Sequence, residues 1–293
     1  MALLPLVLVL VLAAAVAVVA ASTRRVPPSA EATVVAARRH ASWTAVAAVV
    51  LGAAAALAEG TAGPFSVGGP AHLGVTALLV PVTFGVVHTA VLALGELTWP
   101  RPHGQIRRAR LVHRGLLDAA PRWLTRLGGW AAVVTVVTLS LGAVLAADDG
   151  RSVSLHTTDG LLSATAGPFP GWTYGRPAAI GLLLLAALTV GTLQIVASRA
   201  AVVTTDDRIE AALRRASAHR VLRGAVGTCL VVTGGLLLVA GTATRDAASS
   251  TGPEALGVLG WVVAAAGLAG LLAGLVVWCV RAPVVPADHA VAA

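Results

Sequence analysis

LGVTALLVPVTFGVVHTAVLALGEL, residues 73–97, holds no charge until Glu96 and a single histidine, His88. A helix crossing a hydrocarbon core ~30 Å thick needs about 20 such residues. Six further stretches read the same way. The expected spans are Leu3–Ala21, Trp43–Ala58, Leu73–Leu97, Trp130–Ala147, Ala178–Ala197, Ala225–Gly241 and Leu256–Val280. Barrel strands would alternate over about ten residues, whereas these runs are continuous in Ala, Leu and Val. With 57% hydrophobic and 12% charged residues and a mean hydropathy of +0.85, the expected fold class is all-α. The chain reads as one polytopic membrane domain, 1–293, with seven transmembrane helices.

Charge gives the expected orientation. All 21 basic residues are arginine. Eighteen lie in the segments after spans one, three, five and seven, including the basic loops 98–129 and 199–224; only Arg151, Arg176 and Arg245 lie on the other side. Short arginine-rich loops stay cytoplasmic, so the N-terminus is expected outside and the C-terminus inside the cell membrane. Span one is read as a retained anchor, because a signal peptide carries positive charge before its apolar run and Met1–Leu12 has none.

A net charge of +8 follows from that asymmetry and points to anionic lipid at the inner loops, with no nucleic-acid motif beside it. Cys229 and Cys279 sit toward the cytoplasmic ends of spans six and seven, where a disulfide is disfavoured, and are read as packing residues.

The pentapeptide Thr61–Phe65 (TAGPF) recurs as Thr165–Phe169, while Trp43 and Trp130 open successive ascending spans. The repeat suggests three helical hairpins, spans 2–3, 4–5 and 6–7, after the leading helix. The outer segment 148–177 alternates polar and apolar through Val153 and Leu155, and Asp159-Gly160 offers a turn, so a small β-hairpin cap is expected there. Inside, Thr205 is the expected cap of an amphipathic helix that ends at Arg220 and Arg223. Its face of Ile209, Ala212, Leu213 and Ala216 is expected on lipid or on the Arg101–Arg126 loop.

Polar residues inside the bilayer are costly, which singles out His88 and Glu96 as the candidate intramembrane site. They are ~12 Å apart along a helix axis at 1.5 Å per residue, with Pro81 a turn or two away on the outer side. One reading is a proton or cation relay. The preferred one is a structural histidine bonded to a Thr or carbonyl, with Glu96 at the interface near Arg101. Gln194, Thr135, Thr138, Ser140 and the Gly270-x-x-x-Gly274 pair are expected to join helices.

Several chemistries are excluded. Without lysine there is no retinal Schiff base, a lone deep histidine does not make paired haem ligands, and neither a protease constellation nor a P-loop is present. No catalytic, cofactor or metal residue is expected. The chain reads as non-catalytic: a membrane component for assembly or signalling that works with a protein partner or a second copy. The alternative is a small-solute or ion permease using His88 and Glu96. Gly95–Pro100 (GELTWP), Thr165–Gly175 (TAGPFPGWTYG) and Asp206–His219 (DDRIEAALRRASAH) resemble segments of uncharacterised multi-pass membrane proteins from high-GC actinobacteria, a likeness that implies this membrane fold and no activity.

Overall fold

A computed structural model describes residues 31–62, 73–100, 115–156, 163–202, 207–251 and 254–286. Six helices are long and apolar enough to cross a membrane, against the seven expected; the expected span Leu3–Ala21 lies outside the described residues. They are α1 (Ala32–Ala62), α2 (Leu73–Leu97), α3 (Arg122–Leu145), α4 (Trp172–Ser198), α5 (Asp207–Thr251) and α6 (Glu254–Cys279). Large apolar side chains such as Trp130, Val144, Ile180, Leu183 and Val276 point outward, as helices facing hydrocarbon require.

The largest departure from expectation is α5. The amphipathic helix and span six are a single helix of 45 residues, ~67 Å long at 1.5 Å per residue and so about twice the hydrocarbon thickness. No proline interrupts Asp207–Thr251, and the residues between the two expected pieces are helix-compatible. Thr205 lies outside the described residues; the helix starts with Asp207 and Glu210 in its first turn, where acids suit the dipole. The expected lipid-facing side is buried instead. Ile209 and Leu213 pack with Val34, Ala37, Ala41, Trp99 and Val202, because α1 also runs past its expected end and covers them.

Every other described element touches α5. The expected α3–α4 hairpin is loosely packed: α3 lies chiefly on α5, and α4 chiefly on α2. The pairs α1–α2 and α5–α6 do pack as hairpins. In the second, glycines set the distance. Gly227, Gly234 and Gly241 of α5 oppose Gly274, Gly267 and Gly260 of α6. A Cβ on Gly234 would lie 2.5 Å from the Leu271 nitrogen and 2.7 Å from the Gly267 oxygen, so the backbones themselves are in contact. The seven-residue spacing keeps this seam on one side of both helices.

At the other end, β1 (Val153–His156) and β2 (Ser163–Ala166) form the expected antiparallel hairpin, with Val153 opposite Ala166 and His156 opposite Ser163. The expected turn at Asp159-Gly160 lies outside the described residues. Val153 and Phe169 bury against Ala240, Ala243 and Ala247 of α5, so the projecting end of the long helix supports the cap. Asp149 ties the entry: its carboxylate accepts from the Arg151 and Ser152 backbone N–H groups at 3.0 Å each and from the Ser152 hydroxyl at 2.9 Å. Gly150 beside it takes φ 63°, a left-handed conformation that glycine adopts without penalty.

Gly234→Ala should lower stability by about 1–3 kcal/mol through backbone overpacking. Gly235→Ala, with open space around its Cβ, should be neutral or gain up to about 1 kcal/mol in helix propensity. Thermal unfolding in nanodiscs compares them, and equal effects would discard the glycine seam. The Asp149 turn adds a pH signature. Its backbone hydrogen bond from Arg151, and then the Ser152 bonds, hold the carboxyl below its ordinary value of 3.8. Its contribution is therefore complete above that value and lost as pH falls through the lower folded one. The difference in melting temperature between wild type and Asp149→Ala should be present at neutral pH and vanish in strong acid.

Candidate functional site

Three helices, α2, α4 and α6, end at the arginine-rich end of the bundle, and each leaves its last carbonyls without intrahelical donors. Basic side chains from α1 and α5, two of the three helices that begin there, supply them. His40 of α1 places Nε2 2.8 Å from the Gly95 oxygen of α2; a carbonyl only accepts, so that nitrogen carries the proton. Arg223 of α5 donates to the Val280 oxygen just past α6 at 2.6 Å. Arg214 serves α4, donating Nη1 to the Val196 and Ala197 oxygens at 2.8 Å each and Nη2 to the Arg199 oxygen at 2.7 Å. Its Nε meets Glu210 Oε1, one turn back, at 2.8 Å. The other Glu210 oxygen accepts the Val202 N–H at 3.0 Å. Further along, Arg38 donates to the Pro286 oxygen at 2.7 Å and so holds the chain beyond α6 against α1.

Glu96 belongs to this cluster. It pairs with Arg199 at 2.8 Å, with both side chains buried, at 7% and 4% exposure. The expected neighbour Arg101 lies outside the described residues. The Arg199 guanidinium lies 3.6 Å from the centre of the Trp99 ring, a cation–π contact of the desolvated kind. Burial draws Arg199 below its usual range while Glu96 and Glu210 work against that, and an arginine so paired stays charged.

His88 stands apart. Its ring stacks on Phe84 (centroids 5.6 Å apart, 21° between planes), and Phe84 meets Trp278 at 5.0 Å. Gly224 of α5 faces the ring so closely that a Cβ there would lie 2.7 Å from Nδ1. His88 Nδ1, Thr89 Oγ1 and Thr228 Oγ1 are buried with no hydrogen-bond partner among the described residues. The expected bond to a Thr or carbonyl is thus not found at Nδ1, and His88 and Glu96 belong to two different clusters.

The other expected helix-joining residues divide. Thr135 meets Thr233 at 2.6 Å and the Cys229 sulfur at 3.2 Å, whereas Cys279, also expected in packing, is exposed. Thr138 is buried, whereas Ser140 and Gln194 face outward. Gly274 sits on the α5 seam, and a Cβ on Gly270 would meet it only at van der Waals distance. Sequence reasoning did not single out Arg199, Glu210, Arg214 or His40. The arginines were counted as loop charges, although Glu210 and Arg214 stand at the helical spacing i, i+4. Among the described residues no three His, Cys, Asp or Glu side chains gather as a metal centre would need.

Glu96→Gln leaves the Arg199 charge buried and unpaired, which should cost about 3–5 kcal/mol. Adding Arg199→Met should recover most of it, since the unpaired buried charge is then gone. Unfolding of the single and double variants in detergent micelles checks this; a single-variant loss under about 1 kcal/mol would show the pair to be incidental. No protein family, curated protein or solved structure matches this chain, so its role has to be read from its own side chains.

Proposed function

We propose that this chain is a non-catalytic integral component of the cell membrane that assembles with a protein partner or a second copy, or signals, through its basic inner face. The observation that carries this is how the buried charges are engaged. Glu96, Arg199, Glu210 and Arg214 are committed to one another and to helix ends, which is the work of a rigid scaffold rather than of a reaction centre. The surface fits that role. α3 buries a single stripe, Leu124, Ala131, Thr135, Thr138 and Gly142, and leaves Val133, Val136, Val137 and Val144 outward for lipid or another helix.

The apolar runs support seven spans and the TAGPF repeat three hairpins behind the first. The arginine distribution supports an N-terminus outside and a C-terminus in the cytoplasm, with anionic lipid at the inner loops. Nucleic acid is not a partner in this reading. Cys279 is exposed at the end of α6, which offers a direct test. A membrane-impermeant maleimide should label it in inverted vesicles and not in intact cells; the opposite pattern would reverse the orientation. A purified protein that is strictly monomeric in nanodiscs and recovers no partner by cross-linking from membranes would sink the assembly reading.

A second reading, a small-solute or ion permease through His88 and Glu96, draws on the unpartnered atoms of His88, Thr89 and Thr228 at the crossing of α2 and α5. Buried polar groups without partners commonly contact water. The double variant His88→Ala, Glu96→Gln should then abolish proton or solute flux into proteoliposomes, and unchanged flux would end that reading.

A further inference from the structure

The arginine-rich end holds more positive charge than its acids balance. Arg199 pairs with Glu96 and Arg214 with Glu210, whereas Arg223 is bonded to the Val280 carbonyl and Arg220 forms no ion pair among the described residues. Glu210 is engaged by Arg214 and the Val202 N–H, and Glu96 gives one oxygen to Arg199. Arg220 lies within electrostatic reach of Glu96, Arg199 and Arg223, while the ion pair of Glu96 is made with Arg199. The donors are also incompletely used. Arg199 is 4% exposed at its side chain, yet its Nε and Nη2 are buried with no partner among the described residues. The Arg220 side chain makes no hydrogen bond among the described residues and is partly exposed.

A buried N–H without an acceptor and an uncompensated buried charge are each unfavourable. One kind of ligand relieves both: an oxyanion with several acceptor oxygens, which planar guanidinium forks grip in pairs. We propose that Arg199 and Arg220, with Arg223 beside them, bind a phosphate-bearing anion at this end of the bundle. The group is either the headgroup of an anionic phospholipid or a free phosphate, and both present the same oxygens to the same donors. Trp99 fixes the Arg199 plane by stacking, and Glu96 holds one edge of it, leaving the Nε–Nη2 edge for the ligand. This site shares Arg199 with the scaffold described above but does not depend on the assembly role.

The test uses the full chain in nanodiscs of phosphatidylcholine, alone or mixed with phosphatidylglycerol, with and without inorganic phosphate. Binding to the native state raises its melting temperature by mass action. Wild type should be stabilised by phosphatidylglycerol, by phosphate, or by both, and which of the two acts identifies the source. Arg220→Gln should weaken the apparent affinity by about tenfold or more, in line with loss of a charged hydrogen bond. Arg220→Lys should retain part of it, and Arg215→Gln, an exposed neighbour that removes the same charge, should behave as wild type. No stabilisation of wild type by either probe overturns the site, and so does an Arg220→Gln protein that responds as fully as wild type or no differently from Arg215→Gln.

Discussion

The continuity of α5 is the constraint on which the other elements depend. Each of them touches this one helix, and its length lets it serve three environments in sequence. Its first turns carry Glu210 and Arg214 into the arginine-rich cluster, its middle turns pack glycine to glycine on α6, and its last turns lie under the β-hairpin. Breaking the helix near Gly224 would separate the charge cluster from the seam that holds α6, while each half kept its local contacts. A helix that long is stable only because tertiary packing covers it along its length.

Within hydrocarbon, polar backbone groups must find partners inside the protein, and helix ends are where that is hardest. The chain answers with side chains from neighbouring helices. His40, Arg214 and Arg223 reach carbonyls at or just past the ends of α2, α4 and α6, while positive charge at a helix C-terminus also suits its dipole. The same contacts cross-link helices distant in sequence, so capping and tertiary structure are here a single set of bonds. Because these arginines are engaged within the bundle, the charge that orients a chain in the bilayer and the charge that holds its helices overlap.

Much of this was legible in the sequence. The apolar runs located all six described helices, and the alternation after Asp149 located the hairpin, because both depend on local period and composition. The ends were less accurate. Arg38, Arg39 and Glu59 were placed outside span two by their charge, yet α1 includes all three and buries Arg38 and Glu59. The join of the amphipathic segment to span six was missed for the same reason: charge at Arg220 and Arg223 reads as an end when the residues around it are considered alone. Gly227, Gly234 and Gly241 stood at a fixed spacing in plain view, but spacing shows its partner only when the second helix is laid against it. Glu96 was found and its partner was not, since Arg199 is 103 residues away and no local pattern links them.

The absence of lysine acquires a physical sense at Arg214. Its Nε–H goes to Glu210 and its terminal N–H groups to three separate carbonyls, so a single planar group satisfies four acceptors fixed in space by two helices. An ammonium has three donors on a flexible stem and no fork; in that position it would leave at least one buried carbonyl or carboxylate oxygen without its bond. The same planarity lets Arg199 stack on Trp99 while pairing edge-on with Glu96, a stacked geometry for which an ammonium has no planar face. Arginine bias of compositional origin would be indifferent to position. At this end of the bundle, guanidinium geometry is what lets two helix ends and two carboxylates be bonded by the same few side chains.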